Sequence, residues 1–174
     1  NRVAGDAYCA GGVEARLAPD DPALHRDEHG SALHGLAAAA GAWQLAAGDA
    51  TTARAALEHE GAPGSAFPFA HRVEVELALR HGCLVVATTL HATGDVPVPA
   101  VFGWHPYFRL PGAPRAAWRL ALPARRSMVL DAHGLPIGGG ADEPAGEERL
   151  EHRALDDGFR GLAPGACLQV RGGG

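Results

Sequence analysis

The strongest constraint on the fold comes from residues 72–92, RVEVELALRHGCLVVATTLHA. In the first half of this segment, apolar and mostly polar side chains alternate, and the apolar set is Val73, Val75, Leu77 and Leu79. A period of two is typical of a half-buried strand. His81 and Gly82 indicate a tight turn, and the β-branched run from Cys83 to Ala92 is long enough to return as an antiparallel partner. The segment therefore predicts a β-hairpin.

Short strand-like segments recur along the rest of the chain, at residues 41–48, 50–60, 98–108, 117–124 and 167–171. The stretches GAPGSAFP, HATGDVPVP, LPGAPRA and GLPIGGGADEPAGEE between them carry the chemistry of turns and loops. Residues 31–43 are rich enough in alanine for a short helix, but Gly35 and Gly41 favour a loop or extended segment. We expect a single all-β domain over residues 1–174, built as a sandwich or a barrel.

Charge and cysteine content narrow the function classes. A net charge of -5 and a pI near 6.0 argue against a nucleic-acid partner, because phosphate neutralisation requires a basic surface. No apolar run reaches the length of a membrane-spanning helix, so we expect no membrane partner. Cys9, Cys83 and Cys167 are odd in number and widely spaced, which indicates neither a disulfide framework nor a thiolate metal site. These features predict a cytoplasmic protein.

The segment VFGWHPYFRLPG, residues 101–112, concentrates the residues that are most suited to chemistry. His105 precedes a proline, which biases its backbone towards extended geometry and gives its ring a defined direction. If the segment is a strand, alternation places His105 and Tyr107 on one face and Trp104 on the other. Two readings stay open on composition alone: a ligand-binding histidine in a cleft, and a buried histidine in an aromatic core.

Several segments resemble motifs of the aldose 1-epimerase (galactose mutarotase) family. The specific one is GWHPYFRLPG, which resembles the family's Gly-x-His-Pro-Tyr-Phe signature. NRVAG at the start, SALHGL, FPF at residues 67–69 and ALDDGF follow the family's order along nearly the whole chain. The resemblance implies an antiparallel β-sandwich of the galactose mutarotase type. It also implies that residues 1–174 are an internal part of the family fold, incomplete at both ends.

The resemblance also implies roles for individual residues. His105 matches the histidine that acts as general acid on the sugar ring oxygen, and His34 matches a second active-site histidine. Arg2 matches an arginine that hydrogen-bonds sugar hydroxyls, and Asp156 matches an aspartate that binds them, with Asp157 as its rival under a shift of one residue. Trp104 and Trp43 are candidates for stacking on a sugar face, although either could equally pack in the core.

The implied activity is the interconversion of α and β anomers of free aldohexoses. One group removes the anomeric proton while another protonates the ring oxygen, and this route needs no metal or organic cofactor. The family's general base is a glutamate near its C-terminus, which we expect beyond Gly174. Glu147, Glu148 and Glu151 are expected in a solvated polar loop and are not assigned this role.

Other readings remain open. A carbohydrate-binding domain without turnover fits a chain that lacks the base. Arg109, beside the motif, leaves a phosphosugar epimerase as another alternative. A structural β-sandwich would place the histidine and the aromatic side chains in the core. His25 and His29 have a spacing that would suit a metal on a helix, but Pro22 and Gly30 favour a surface loop. The oligomeric state and the preferred sugar are left open.

Overall fold

Short antiparallel strands dominate the computed structural model, which describes residues 2–36, 43–46 and 48–172. The chain divides into two compact units, Asn1–Gly103 and Trp104–Gly174. The strands of the first unit are β1 (Arg2–Val3), β2 (Ala7–Ala10), β3 (Val13–Arg16), β4 (His25–Arg26), β5 (Ala32–Leu33), β6 (Gln44–Ala46), β7 (Thr52–His59), β8 (His71–Arg80) and β9 (Cys83–Ala92).

The second unit contains shorter strands and one 3₁₀ turn, Arg115–Ala117. Its strands are β10 (Arg119–Leu122), β11 (Arg125–Ser127), β12 (Val129–Leu130), β13 (Pro136–Gly138), β14 (Asp142–Glu143), β15 (Gly146–Arg149), β16 (Phe159–Arg160) and β17 (Gln169–Arg171). All pairings described in both units are antiparallel, which confirms the all-β class. The prediction of a single domain stays a prediction.

The predicted hairpin is confirmed as β8 and β9, which pair in unbroken register from His71 opposite Ala92 to Arg80 opposite Cys83. The connecting residues His81 and Gly82 have φ values of 51° and 78°. Two consecutive positive φ values match the right-handed twist of the flanking strands, which is why a glycine occupies the second position. With β6 and β7, the hairpin forms a four-stranded sheet in the order β6-β7-β8-β9.

The two faces of this sheet differ in chemistry because side chains alternate along each strand. One face carries Leu57 opposite Val73, and Val75 on the same face is buried. The other face carries Arg54 opposite Glu76, and the Arg54 guanidinium lies 2.7 Å from the Glu76 carboxylate. The alternation read from the sequence therefore separates apolar from charged side chains, but burial follows it only in the first part of β8, because Leu77 and Leu79 are exposed and Ala78 is buried.

An aromatic cluster lies at the start of β8 and is built from the FPF segment. Phe69 is 1% exposed, and its ring centroid lies 5.1 Å from that of Phe67. The ring centroids of His59 and His71 lie 5.0 Å apart. A ring nitrogen of His59 is hydrogen-bonded to the backbone carbonyl of Phe67, and a ring nitrogen of His71 to that of Phe69. The hydroxyl of Tyr8 donates to the carbonyl of Ala66. FPF therefore forms part of the buried core of the first unit.

Two predictions made along the chain are wrong. Residues 98–108 form no strand; Pro97, Pro99 and Pro106 lack the N–H groups that a ladder requires. Residues 134–148, expected as loop, contain β13, β14 and the start of β15, which pair with β12, β11 and β10. These strands depend on partners that are distant in the sequence, so their local composition does not reveal them.

The other strand predictions are confirmed in shortened form, at β6, β7, β10 and β17. Part of the helix alternative at residues 31–43 falls on residues 37–42, outside the described part of the chain. Its beginning, Ala32–Leu33, is the strand β5. Within the described ranges, no helix has the length and apolar character that would let it cross a membrane.

Candidate active site

Three of the shortest strands bring the first set of candidate residues together. The sheet has the order β1-β5-β4, with Arg2 and His25 opposite Leu33 from either side. In the next row of the ladder, Val3 lies opposite Ala32, which is buried in a core cluster that Val3 packs against. Because successive side chains point to opposite faces, the row with Arg2, Leu33 and His25 faces away from this core.

His34 follows β5 directly and therefore lies beside the same row. Its φ of 66° places it in the left-handed region, which side chains other than glycine seldom adopt. Its imidazole stacks on that of His25, with centroids 6.1 Å apart and planes inclined by 12°. Both histidines are exposed. The structure thus places Arg2 and His34, two residues that the resemblance singled out, on one part of the surface.

A buried carboxylate holds the arginine of this set. The Nε–H of Arg2 donates to Oδ2 of Asp27 over 2.6 Å, and the Asp27 side chain is only 1% exposed. The other carboxylate oxygen accepts the backbone N–H groups of His29 and Ser31. The hydrogen bond from Arg2, followed by those from the two backbone amides, holds the pKa of Asp27 below its usual value despite its burial.

The second set of candidate residues lies in the irregular segment that begins the second unit. Trp104 is 58% exposed, Phe108 is 67% exposed and Tyr107 is 92% exposed. The ring centroids of His105 and Tyr107 lie 5.2 Å apart. Since no strand forms here, the alternation predicted for residues 101–108 does not apply, and Trp104 and His105 are exposed neighbours.

The aspartates of LDDGF precede β16, which anchors them. Phe159 in β16 lies opposite Ser127, and the guanidinium carbon of Arg125 lies 4.7 Å from the centre of the Phe159 ring. Asp156 and Asp157 are both exposed. The choice between them as the sugar-binding aspartate stays a prediction.

The glutamates expected in a polar loop are placed differently. Glu147 and Glu148 belong to β15, and only Glu151 lies in a turn. Glu147 is ion-paired to Arg119, and this charged hydrogen bond lowers the pKa of the Glu147 carboxyl. Glu148 is ion-paired to Arg153. Carboxylates engaged in this way are poor candidates for a general base.

Sequence reasoning missed Asp27 and His25 as members of the first set. The signal for Asp27 was local: its carboxylate accepts backbone N–H groups within the turn DEHGS, as aspartate side chains do in Asx turns. Its pairing with Arg2, 25 positions away, has no local signal. His25 was assigned to a surface loop; it lies instead in β4, opposite Leu33.

The fold defines an antiparallel all-β protein whose first unit exposes arginine and histidine side chains and whose second unit exposes histidine and aromatic side chains. Imidazoles are suited to proton transfer. The family model described as aldose 1-epimerase matches residues 1–158, and the chain belongs to that family. No curated protein and no solved structure matches the chain. Family membership indicates an isomerase-type function and a sugar as the substrate.

Proposed function

We propose that this protein interconverts the α and β anomers of free aldohexoses of the glucose and galactose type. The observation that carries the proposal is the β1-β5 register, which sets Arg2 opposite Leu33 and therefore beside His34. These are two of the residues that the family resemblance assigns to the sugar site, and they come from segments about thirty positions apart. Family membership over residues 1–158 supports the same conclusion.

The reaction opens a hemiacetal and closes it on the other face. A base takes the anomeric hydroxyl proton, an acid protonates the ring oxygen, and rotation about C1–C2 precedes closure. We assign the acid to His105, because imidazole can give and retake a proton near neutral pH. Its exposed position lets the proton exchange with water between turnovers.

The remaining residues bind and orient the sugar. The guanidinium of Arg2 would donate to sugar hydroxyls, and the His34 imidazole would contact the region of the ring oxygen. The carboxylate of Asp156 would accept hydroxyl hydrogen bonds, and Trp104, exposed beside His105, would stack on the apolar face of the ring. The exposed, free Cys9, Cys83 and Cys167 fit a cytoplasmic location, which forms part of the proposal.

A second function, sugar binding without turnover, is favoured by the ion pairs of two glutamates. Glu147 and Glu148 are engaged by arginines, so we assign the general base to neither of them. A chain that presents the acid and the binding residues without a base would recognise a sugar and leave its anomers unchanged. The two functions share the binding residues and differ in the rate of anomer exchange.

Magnetisation transfer between the anomeric protons of glucose, and then of galactose, tests the proposal. The exchange rate is measured with the 174-residue chain, with His105→Ala and with His152→Ala. His152 is exposed and lies in a turn, so it serves as the matched control. Turnover by this chain would give enhanced exchange, and His105→Ala alone would lose about 10²–10⁴-fold of the enhancement, since one positioned acid contributes that much.

Sugar titrations followed by protein NMR separate the alternatives. Saturable shift changes without faster exchange would support the binding domain and contradict turnover. If His105→Ala lowered the free energy of unfolding and left both sugar measurements unchanged, His105 would have a structural role and no part in sugar binding. In that case the structural interpretation of the aromatic segment would replace the proposal.

A further inference from the structure

The carboxylate of Asp27 is a buried charge that accepts hydrogen bonds from Arg2 and from the backbone of its own turn. Its side chain is 1% exposed, whereas the side chain of its partner Arg2 is 33% exposed. A buried charge is costly unless it is paired and hydrogen-bonded, and Asp27 is both. The protein therefore maintains a buried acid under an arginine on the surface that carries His25 and His34.

The position of Asp27 is itself fixed by its own turn. Oδ1 accepts the backbone N–H groups of His29 and Ser31 at 3.0 and 2.9 Å. The backbone N–H of Asp27 donates to the carbonyl of Ser31 over 3.1 Å. These bonds leave Oδ2 as the oxygen that meets Arg2 Nε, so the carboxylate cannot swing away without breaking the turn.

We infer that Asp27 is a positioning residue, which holds the Arg2 guanidinium in one orientation on the surface it shares with His25 and His34. The bond at Nε defines the plane of the guanidinium, since the group is rigid and planar. The consequence rests on the proposed function: the Arg2 guanidinium is already ordered when the sugar binds.

The expected size of the effect follows from the cost of ordering one long side chain. Immobilising such a side chain on binding weakens affinity by about 2- to 10-fold. Asp27→Asn should therefore raise the Kd for galactose or glucose by about that factor. The asparagine keeps a carbonyl oxygen for the two backbone amides, and its NH₂ group replaces the acceptor that faces Arg2 Nε.

The test combines a binding cycle with a direct observation of the arginine. Galactose and glucose Kd values are measured for the wild type, Asp27→Asn, Arg2→Ala and the double variant. Glu14→Gln, which breaks an exposed pair with Arg16 in the same unit, is the matched control. The Nε–Hε resonance of Arg2, identified by its loss in Arg2→Ala, is followed for solvent exchange and motion in the wild type and in Asp27→Asn.

A positioning role predicts that Asp27→Asn weakens binding in the wild type and has no further effect in Arg2→Ala. A merely structural role would weaken binding equally in both backgrounds and would overturn the inference. The wild-type spectrum tests the orientation without any variant: a protected, ordered Nε–Hε supports it, and one averaged like a free side chain overturns it. If Nε–Hε is ordered and no sugar binds, the proposed function fails while the positioning of Arg2 stands.

Discussion

The imidazole rings of His25 and His34 stack nearly parallel, with centroids 6.1 Å apart and planes inclined by 12°. The contact exists because β4 and β5 pair with His25 opposite Leu33, and because the chain turns into the left-handed region at the next residue. A strained backbone at a candidate functional residue is a feature that active sites often show. The stack and the turn together determine where the His34 ring lies.

Substitution of His34 separates the backbone from the side chain. His34→Gly and His34→Ala both remove the imidazole, but at a φ of 66° the glycine is not penalised by a Cβ. We expect the glycine variant to be more stable than the alanine variant by about 1–2 kcal/mol, the penalty for a left-handed Cβ. Urea unfolding followed by circular dichroism measures the difference. Equal stabilities would mean that the turn relaxes when the ring is removed.

The two tryptophans of the second unit should respond in opposite ways to alanine. Trp104 is 58% exposed, so Trp104→Ala should weaken sugar binding and change the free energy of unfolding by less than about 0.5 kcal/mol. Trp118 is half-buried and its indole N–H donates to the carbonyl of Ala113, so Trp118→Ala should destabilise the protein. Sugar titrations and urea unfolding of both variants test this. A large stability loss in Trp104→Ala would argue against a stacking role.

Two phenylalanines offer a matched test of burial. Phe69 is 1% exposed within the FPF segment and Phe108 is 67% exposed. Phe69→Ala should lower the free energy of unfolding by about 3–5 kcal/mol, because it removes a large buried side chain and leaves a cavity. Phe108→Ala should change it by less than about 0.5 kcal/mol. Chemical denaturation measures the free energy of unfolding of both variants relative to the wild type, and equal m-values check two-state behaviour.

Asp49 should make stability depend on pH in the acidic range. Hydrogen bonds from the Thr51 and Thr52 amides and the Thr51 hydroxyl lower the pKa of its carboxyl from 3.8 to about 2. A lowered pKa in the folded state means that the stabilisation is complete above 3.8 and is lost as the pH falls through about 2. Asp49→Asn should be less stable than the wild type near neutral pH, with a difference that shrinks in that window.

The check on Asp49 is a pair of measurements. Urea unfolding of the wild type and Asp49→Asn across the acidic range follows the difference in stability, and carbon NMR of the carboxyl group reports its pKa directly. The asparagine keeps one acceptor oxygen and carries no charge, so it isolates the contribution of the carboxylate. A carboxyl that titrated near 3.8 would show that the turn gives it no stabilisation.

The sequence by itself determined the hairpin and much of the sheet around it. The alternation in residues 72–80 sorts the faces of β8, and His81-Gly82 supplies the two positive φ values that its turn requires. Signals of this kind are local, because period and turn chemistry act between residues a few positions apart. The motifs that resemble the aldose 1-epimerase family are also short and contiguous, and the family match confirms that resemblance.

The tertiary structure alone decided the arrangements that need a distant partner. Asp27 meets Arg2 because β5 brings their segments together, and Glu147 lies in a strand because β10 pairs with β15. Residues 98–108, in contrast, have no ladder for a reason that is visible in the sequence, since prolines remove the donors that pairing needs. Burial and pairing across the fold, which no local pattern encodes, determine the setting of the candidate site residues.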